Sequence, residues 1–253
     1  MIPITILSRL RNEKLLLPDF LNHIDKFGDE FFFYDDCSTD NSVDIIENHP
    51  KTKKVICNHF HSNNQSFVQT AQRKLLLDYA RKHSKNRWFL LIEPDERIEF
   101  DFKKLDKYNK DGVNGIFLRL FDAYLTEQDK KSYRGGQLKN LREYFGPEFR
   151  EIGFLFRRDK ASYDLKIPGV RQPNITGKTV TDGICWHYGK CLSIKQWEDK
   201  CKYYIKSMPS LKNRWEARRG KAIHELSDFN HKLLTWRQIK DRLKLNSNGL
   251  IKI

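Results

Sequence analysis

The first hundred residues predict an α/β fold with a mostly parallel central sheet and helices on both of its faces. Three observations carry that prediction. Short apolar runs alternate with helix-like stretches. The runs are apolar throughout, as strands buried on both faces are. Two of them end in acidic clusters, Asp35-Asp36 and Glu93-Pro94-Asp95-Glu96, and a parallel sheet binds its ligands outside the carboxyl ends of its strands.

Taken in order, Pro3 to Leu7 is rich in β-branched residues and reads as a buried strand. Asn12 to Ile24 carries Leu15, Leu16, Phe20, Leu21 and Ile24 at helical spacing, with Pro18 marking a distortion or a late start. Glu30 to Tyr34 is a second strand, Ser42 to Asn48 a short helix and Lys54 to Cys57 a third strand. Ser66 can cap a helix running to about Lys82, with Val68, Ala71, Leu75 and Tyr79 as its apolar stripe. Arg87 to Ile92 is a fourth strand. Beyond residue 100 the alternation breaks down. Gly115 to Phe121 and Ile152 to Arg157 read as strands, and Lys178 to Tyr188 as a hairpin turning at Asp182-Gly183. Ser193 with Gln196 forms a capping box for a helix to about Ser207, ended by Met208-Pro209. The remainder is basic and helical in pieces, with Leu233, Leu234, Trp236, Ile239 and Leu243 as a rough stripe.

A chain of 253 residues suits one large domain with a short extension. We place the domain at 1–210, in halves 1–100 and 101–210, and a basic helical extension at 211–253. The 47 Lys and Arg against 33 Asp and Glu leave a charge of +14, which favours nucleic acid, an anionic membrane surface or phosphate-bearing small molecules. No zinc-finger spacing, RNA-recognition signature or basic region leading into heptads accompanies that charge. No apolar run approaches the roughly 18–20 residues that span a bilayer, and the N-terminus lacks a secretory signal pattern. Five irregularly spaced cysteines point to free thiols in a reducing compartment. The expected location is cytoplasmic, with peripheral membrane contact through the basic tail as an option.

Clustered carboxylates repel one another, and a cation compensates that repulsion. Two such turns on one sheet edge therefore suggest a divalent metal with oxygen ligands, bridging to a phosphate-bearing substrate. Cys185, His187, Cys191 and Cys201 fit no common closed zinc site.

Ile4-Thr5-Ile6 through Asn12-Glu13, then Tyr34-Asp35-Asp36-Cys37-Ser38-Thr39-Asp40, resembles the opening of family 2 glycosyltransferases. Trp88 to Ile92 leading into Glu93-Pro94-Asp95-Glu96 is similar to that family's hydrophobic strand and Asp-x-Asp-Glu motif. The resemblance is good over residues 2–100, looser to about 207, and silent on the tail. It implies a GT-A (Rossmann-like) fold, a nucleotide-sugar donor (a UDP- or GDP-sugar) bound in the first half, and Mn2+ or Mg2+. Asp35 and Asp36 would approach the base and ribose, with Arg9, Arg11 and Glu13 lining the same pocket. Asp95 would bind the metal, and Glu93 the ribose or the metal. Arg73 could reach the nucleotide or its diphosphate. Cys37 stands where the family has glycine, so the turn is expected to avoid a conformation only glycine tolerates. Glu93 stands where the family has aspartate.

In the second half, Ile184-Cys185-Trp186-His187-Tyr188 and the helix carrying Trp197, Lys200 and Tyr203-Tyr204 resemble the His-Tyr strand and following helix of some bacterial members. His187 would complete the metal shell or touch the diphosphate. An inverting enzyme needs a carboxylate base, and a retaining mechanism stays open beside it. Arg171 and Gln172 occupy the family's His-Glu position and are not bases, which leaves Asp164 and Asp182 as candidates, with Glu151 behind them.

The function expected is transfer of a hexose or deoxyhexose from a nucleotide sugar to a glycan or lipid-linked saccharide acceptor. A nucleotidyltransferase is the enzymatic alternative, although Ser8-Arg9-Leu10-Arg11 lacks the glycines of a phosphate loop. A basic nucleic-acid-binding protein is the other. No nucleic-acid partner is expected.

Overall fold

The computed structural model describes residues 2–62, 64–148 and 150–247. Residues 248–253 of the expected extension and the side chain of Ser66, the expected helix cap, lie outside the described residues.

The first half alternates as its sequence demands: β1 (Ile4–Leu10), α1 (Leu17–Ile24), β2 (Glu30–Asp36), α2 (Ser42–Glu47), β3 (Thr52–Asn58), α3 (Gln65–His83) and β4 (Trp88–Leu91). Pro18 sits in the first turn of α1, where its missing N–H costs no hydrogen bond, so the helix starts late. Then come β5 (Glu96–Glu99), α4 (Leu105–Lys110), β6 (Gly115–Asp122), β7 (Tyr144–Phe145), β8 (Arg150–Arg157), β9 (Ala161–Ser162), β10 (Asn174–Ile175) and β11 (Thr179–His187). The chain finishes with α5 (Ile194–Ser207), α6 (Lys212–Glu216), β12 (Leu234–Thr235) and α7 (Trp236–Ser247).

Eight strands form one sheet in the order β3-β2-β1-β4-β8-β6-β11-β5. The sheet is mixed: β1, β2, β3 and β4 are mutually parallel and β6 pairs parallel with β11, while β8 and β5 run against their neighbours. Helices cover both faces. Ile4, Ile6 and Leu10 of β1 pack with α1 and α2, together with Leu105 of α4. Leu7 points the other way, with Phe32 and Phe89, onto Leu76, Leu77 and Ala80 of α3. Period-2 alternation of wholly apolar strands produces these two layers.

Two expectations give way. The apolar stripe of α3 is misplaced: Leu75 is 51% exposed and Ala71 is exposed, while Gln72 and Arg73 turn inward beside Leu76 and Leu77. Lys178 to Tyr188 is no hairpin. It is the single strand β11, whose register against β6 jumps between Thr181 and Ile184, with Gly183 at φ +95°. That is a bulge, the other use of an Asp-Gly pair in a strand.

Among the described residues the tail is helical in two pieces, α6 and α7, and packs on the domain. Trp215, Ala222 and Ile239 join Phe121, Trp186 and Trp197 in one buried cluster, and β12 pairs antiparallel with β7. Ser193 caps α5 through its Oγ, which accepts from Gln196 N–H at 3.0 Å. The reciprocal half of the expected box is missing, since Gln196 Oε1 is buried without a partner among the described residues. Among the described residues no helix is long and apolar enough to cross a membrane.

Candidate active site

Strands β2, β4, β6 and β11 all deliver their carboxyl ends to one edge of the sheet, so Asp35-Asp36, Glu93 to Asp95, Asp122 and His187 gather there.

Asp36 is fully buried and saturated. Its Oδ1 accepts from Asn58 Nδ2 (3.0 Å) and Gln72 Nε2 (2.8 Å). Its Oδ2 lies 2.8 Å from Arg9 Nη2 and 3.1 Å from His61 Nδ1. Burial opposes its ionisation, but Arg9 and these donors hold its carboxyl below the usual range. Asp36 is thus an anchor for the turn, with no lone pair left over for a ligand. Arg9 is held in the same network by Gln72 Oε1 (2.6 Å) and Gln65 Oε1 (2.8 Å). Asp35 differs. Its Oδ2 accepts from Ser38 N–H at 2.9 Å, and its buried Oδ1 has no partner among the described residues. Contrary to expectation, Cys37 keeps the left-handed conformation at φ +59°. Such a residue costs about 1–2 kcal/mol, partly offset by its thiol donating to Asn58 O at 3.0 Å.

At the end of β4, Glu96 is fully buried, paired with Arg171, and its Oε2 accepts from Glu93 N–H at 2.8 Å. Glu93 Oε1 takes Arg73 Nη2 at 2.7 Å; burial works against its charge, but Arg171 and Arg73 hold its carboxyl low. Asp95 Oδ2 faces His187 Nε2 at 3.3 Å, while the buried Oδ1 of Asp95 has no partner among the described residues. On the far side of the ring, His187 Nδ1 meets Asp122 Oδ1 at 2.5 Å. Burial disfavours a charged imidazole, yet Asp95 and Asp122 raise the His187 pKa. Gly189 leaves the space open: a Cβ there would stand 2.4 Å from Asp95 Oδ2 and 2.8 Å from His187 Nε2.

These groups open on a cleft of about 280 Å3 between the first turn after β1 and helix α5. Arg11, Glu13, Glu93 and Asp95 line one side, and Gln196, Asp199, Lys200 and Tyr203 the other, at the i, i+3, i+4 and i+7 spacing of one helix face. The Arg11 guanidinium lies 5.6 Å from the Tyr203 ring centroid. Loss of water and the neighbouring Asp95 push Glu13 up to about 8, so it is largely protonated at neutral pH. Burial opposes a charged Lys200, but Tyr204, Asp95 and Glu13 raise its pKa. Lys195 holds Asp199 below the usual carboxylate range. A larger cavity, about 490 Å3, lies between α1 and β5, and its lining includes none of Asp35, Asp36, Glu93 or Asp95.

No protein-family model and no curated protein matches the chain. Among solved structures, the chain is similar to S. aureus TarS. One TarS structure is covered over 42% of its length, against 85% of this chain, at 12% identity and a TM-score of 0.47. TarS 1–349 in complex with UDP-GlcNAc is covered over 35%, against 47% of this chain, at 20% identity and a TM-score of 0.37. The same fragment in complex with UDP is covered over 70%, against 85%, at 13% identity and a TM-score of 0.44. The chain therefore spans less than half the length of the first two.

Of the residues singled out in the sequence, Arg9, Arg11, Glu13, Asp35, Asp36, Arg73, Glu93, Asp95 and His187 meet on this edge. Asp164 and Asp182 are not brought to the cleft. Asp164 is exposed and accepts from Lys166 N–H in its own loop (2.9 Å). Asp182, on the β11 bulge, is held by Lys104 Nζ and Tyr108 OH, each at 2.8 Å.

A divalent cation fits this edge only in part. Among the described residues no three His, Cys, Asp or Glu side chains converge as a metal set, and Glu93 is engaged by Arg73. Asp95 and His187 supply two donors, with a free carboxylate oxygen and the space at Gly189 beside them. That suits a hard cation taking most of its ligands from phosphate oxygens and water.

Sequence reasoning missed Asn58, Gln65, Gln72, Asp122, Gly189, Gln196 and Asp199. Asp122 carried a signal: like Asp35 and Glu93, it follows an apolar strand that runs to the same edge. The neutral polar residues carried none.

Proposed function

We propose that the chain is a metal-dependent glycosyltransferase moving a sugar from a nucleotide-sugar donor to a saccharide acceptor, a glycan or a lipid-linked glycan. One observation supports this above the others: two acidic turns and a late histidine sit at one sheet edge, on a cleft that also holds Lys200 and Arg11. Carboxylates and cations side by side suit a substrate that brings both phosphates and a cation.

In this reading Asp35 offers its unpartnered Oδ1 to the nucleoside, held in place by the turn that Asp36 anchors. Asp95 and His187 would hold Mn2+ or Mg2+, which supplies Lewis-acid stabilisation of the nucleoside diphosphate leaving group. Lys200 and Arg11 add fixed positive charge where the leaving diphosphate gathers its own negative charge. Gln196 Oε1, buried and unpartnered on the α5 wall, can accept from a sugar hydroxyl.

Four carboxylates among the described residues line the cleft. Glu93 is engaged by Arg73, Asp95 belongs to the metal pair and Glu13 is mostly protonated near neutral pH. Among the described residues Asp199 alone combines a lowered pKa with substantial exposure, and its partner Lys195, with Nζ at 2.5 Å, is itself solvent-exposed, unlike the buried Arg73 that holds Glu93. We take it as the candidate general base, ahead of Asp164 and Asp182. Asp199→Asn is expected to lower kcat by about 10²–10⁴-fold while leaving donor binding unchanged, read by steady-state kinetics and calorimetry.

The reading as a whole is tested by thermal unfolding with UDP, GDP and their sugars, with and without Mn2+. A Mn2+-dependent rise in Tm with one nucleotide, absent in Asp95→Ala, is expected. No nucleotide shift in a protein that DNA or RNA stabilises would instead support the nucleic-acid reading.

A further inference from the structure

Behind His187 stands a buried chain of charges. Asp122, 1% exposed, spends Oδ1 on His187 Nδ1 at 2.5 Å. Its Oδ2 accepts from Arg150 Nη2 at 2.5 Å and Lys190 Nζ at 2.8 Å. Lys190 continues to Asp228 Oδ2 at 2.6 Å, which also meets Arg218 Nη2 at 2.7 Å. Asp228 is itself fixed, its N–H donating to Tyr124 OH at 3.0 Å. The chain thus runs from the cleft to the last quarter of the sequence, and every carboxylate in it is nearly buried.

From this geometry we propose that Asp122 is a positioning residue: carboxylates face both ring nitrogens, but the contact at Nδ1 is 2.5 Å against 3.3 Å at Nε2, so Asp122 holds the neutral His187 ring as the Nδ1–H tautomer and Nε2 offers its lone pair on the Asp95 side. The proposal rests on the metal reading above for its purpose, since a ring with a proton on Nε2 cannot ligate through that atom. Asp228, through Lys190, keeps Oδ2 of Asp122 engaged and leaves Oδ1 to the ring. A free imidazole in water has no such constraint.

Asp122→Asn separates this role from simple packing. Arg150 and Lys190 are donors only, so the new amide turns its oxygen to them and its NH2 to His187. Nδ1 must then accept, and the proton moves to Nε2. The shape is conserved, but the ring is presented wrongly.

The test has two readouts. Nitrogen-15 NMR of the His187 ring, at a pH high enough for it to be neutral, should show Nδ1–H in the wild type and Nε2–H in Asp122→Asn. Calorimetry with Mn2+ and a nucleoside diphosphate should show Mn2+ affinity reduced about 10–100-fold in the variant, with nucleotide affinity in EDTA unchanged. Asp228→Ala should give a smaller loss of Mn2+ affinity with the Nδ1–H tautomer retained. An Nε2–H ring in the wild type, or an Nδ1–H ring in Asp122→Asn, overturns the proposal. Should Asp122→Asn not fold, the wild-type tautomer still decides. A wild type with the Nδ1–H ring but no Mn2+ binding would sink the metal reading and leave the positioning role intact.

Discussion

A methyl group at Gly189 would press on Asp95 Oδ2 and His187 Nε2 together. Gly189 does not have a positive φ, so Gly189→Ala carries no backbone strain and should fold normally. Overpacking of this kind costs about 1–3 kcal/mol, here exacted where a cation would bind. We therefore expect the Mn2+-dependent part of nucleotide affinity to fall roughly tenfold or more, together with a Tm lower by a few degrees, in parallel titration and melting experiments. An unchanged Mn2+ response would place the cation elsewhere. At this scale the sequence was readable for residues that break a pattern. Asp35, Glu93 and Asp95 interrupt apolar strands, and His187 closes another. Gln72, Asn58 and Gly189 interrupt nothing, and their meaning comes from partners far away in the chain, such as Asp36 for Gln72.

Helix α3 illustrates what periodicity can and cannot reveal. Its end and helicity follow from the sequence, but it begins at Gln65 with Asn64 at the N-cap position instead of Ser66, and the apolar stripe fell on the wrong side, since its inward face carries Gln72 and Arg73 to meet Asp36 and Glu93. A site borrows buried positions for polar groups, and a count of apolar residues then points outward. The contact of α1 with β5 yields a pH prediction. His23 Nε2 accepts from Ile98 N–H at 3.0 Å, which requires a neutral ring. Burial and the nearby Arg97 push it down to about 3 from 6.5. Between those values the unfolded chain binds a proton that the folded one does not, so stability should drop as pH falls from 6.5 towards 3. In His23→Gln, whose side-chain oxygen can accept the same bond, urea midpoints across that range should show a flatter acid limb.

On the scale of the whole molecule, the alternating first half was legible and the tail only in part. A basic helical extension with a rough stripe over Leu233 to Leu243 was expected there; Ile239 of that stripe, with Leu234 and Leu243 against it, enters a core built by others, alongside Trp215 and Ala222, which carried no period. Trp215 stacks on Tyr204 with ring centroids 4.4 Å apart and is 9% exposed. Trp215→Ala should therefore cost about 3–5 kcal/mol in urea unfolding. Trp215→Phe should cost far less, because the indole N–H it removes has no partner. The bulge in β11 reaches furthest across the molecule. From Thr181 to Ile184 the strand advances three residues while β6 advances two, from Phe117 to Arg119. The extra residue sets the reading frame of everything after it, with Trp186 turned into the core and His187 turned to Asp95. Deleting Gly183 would shift that frame by one, sending the imidazole into the core and the indole into the cleft. Asp182, pinned by Lys104 and Tyr108, acts at a distance as the punctuation mark that keeps the histidine in frame.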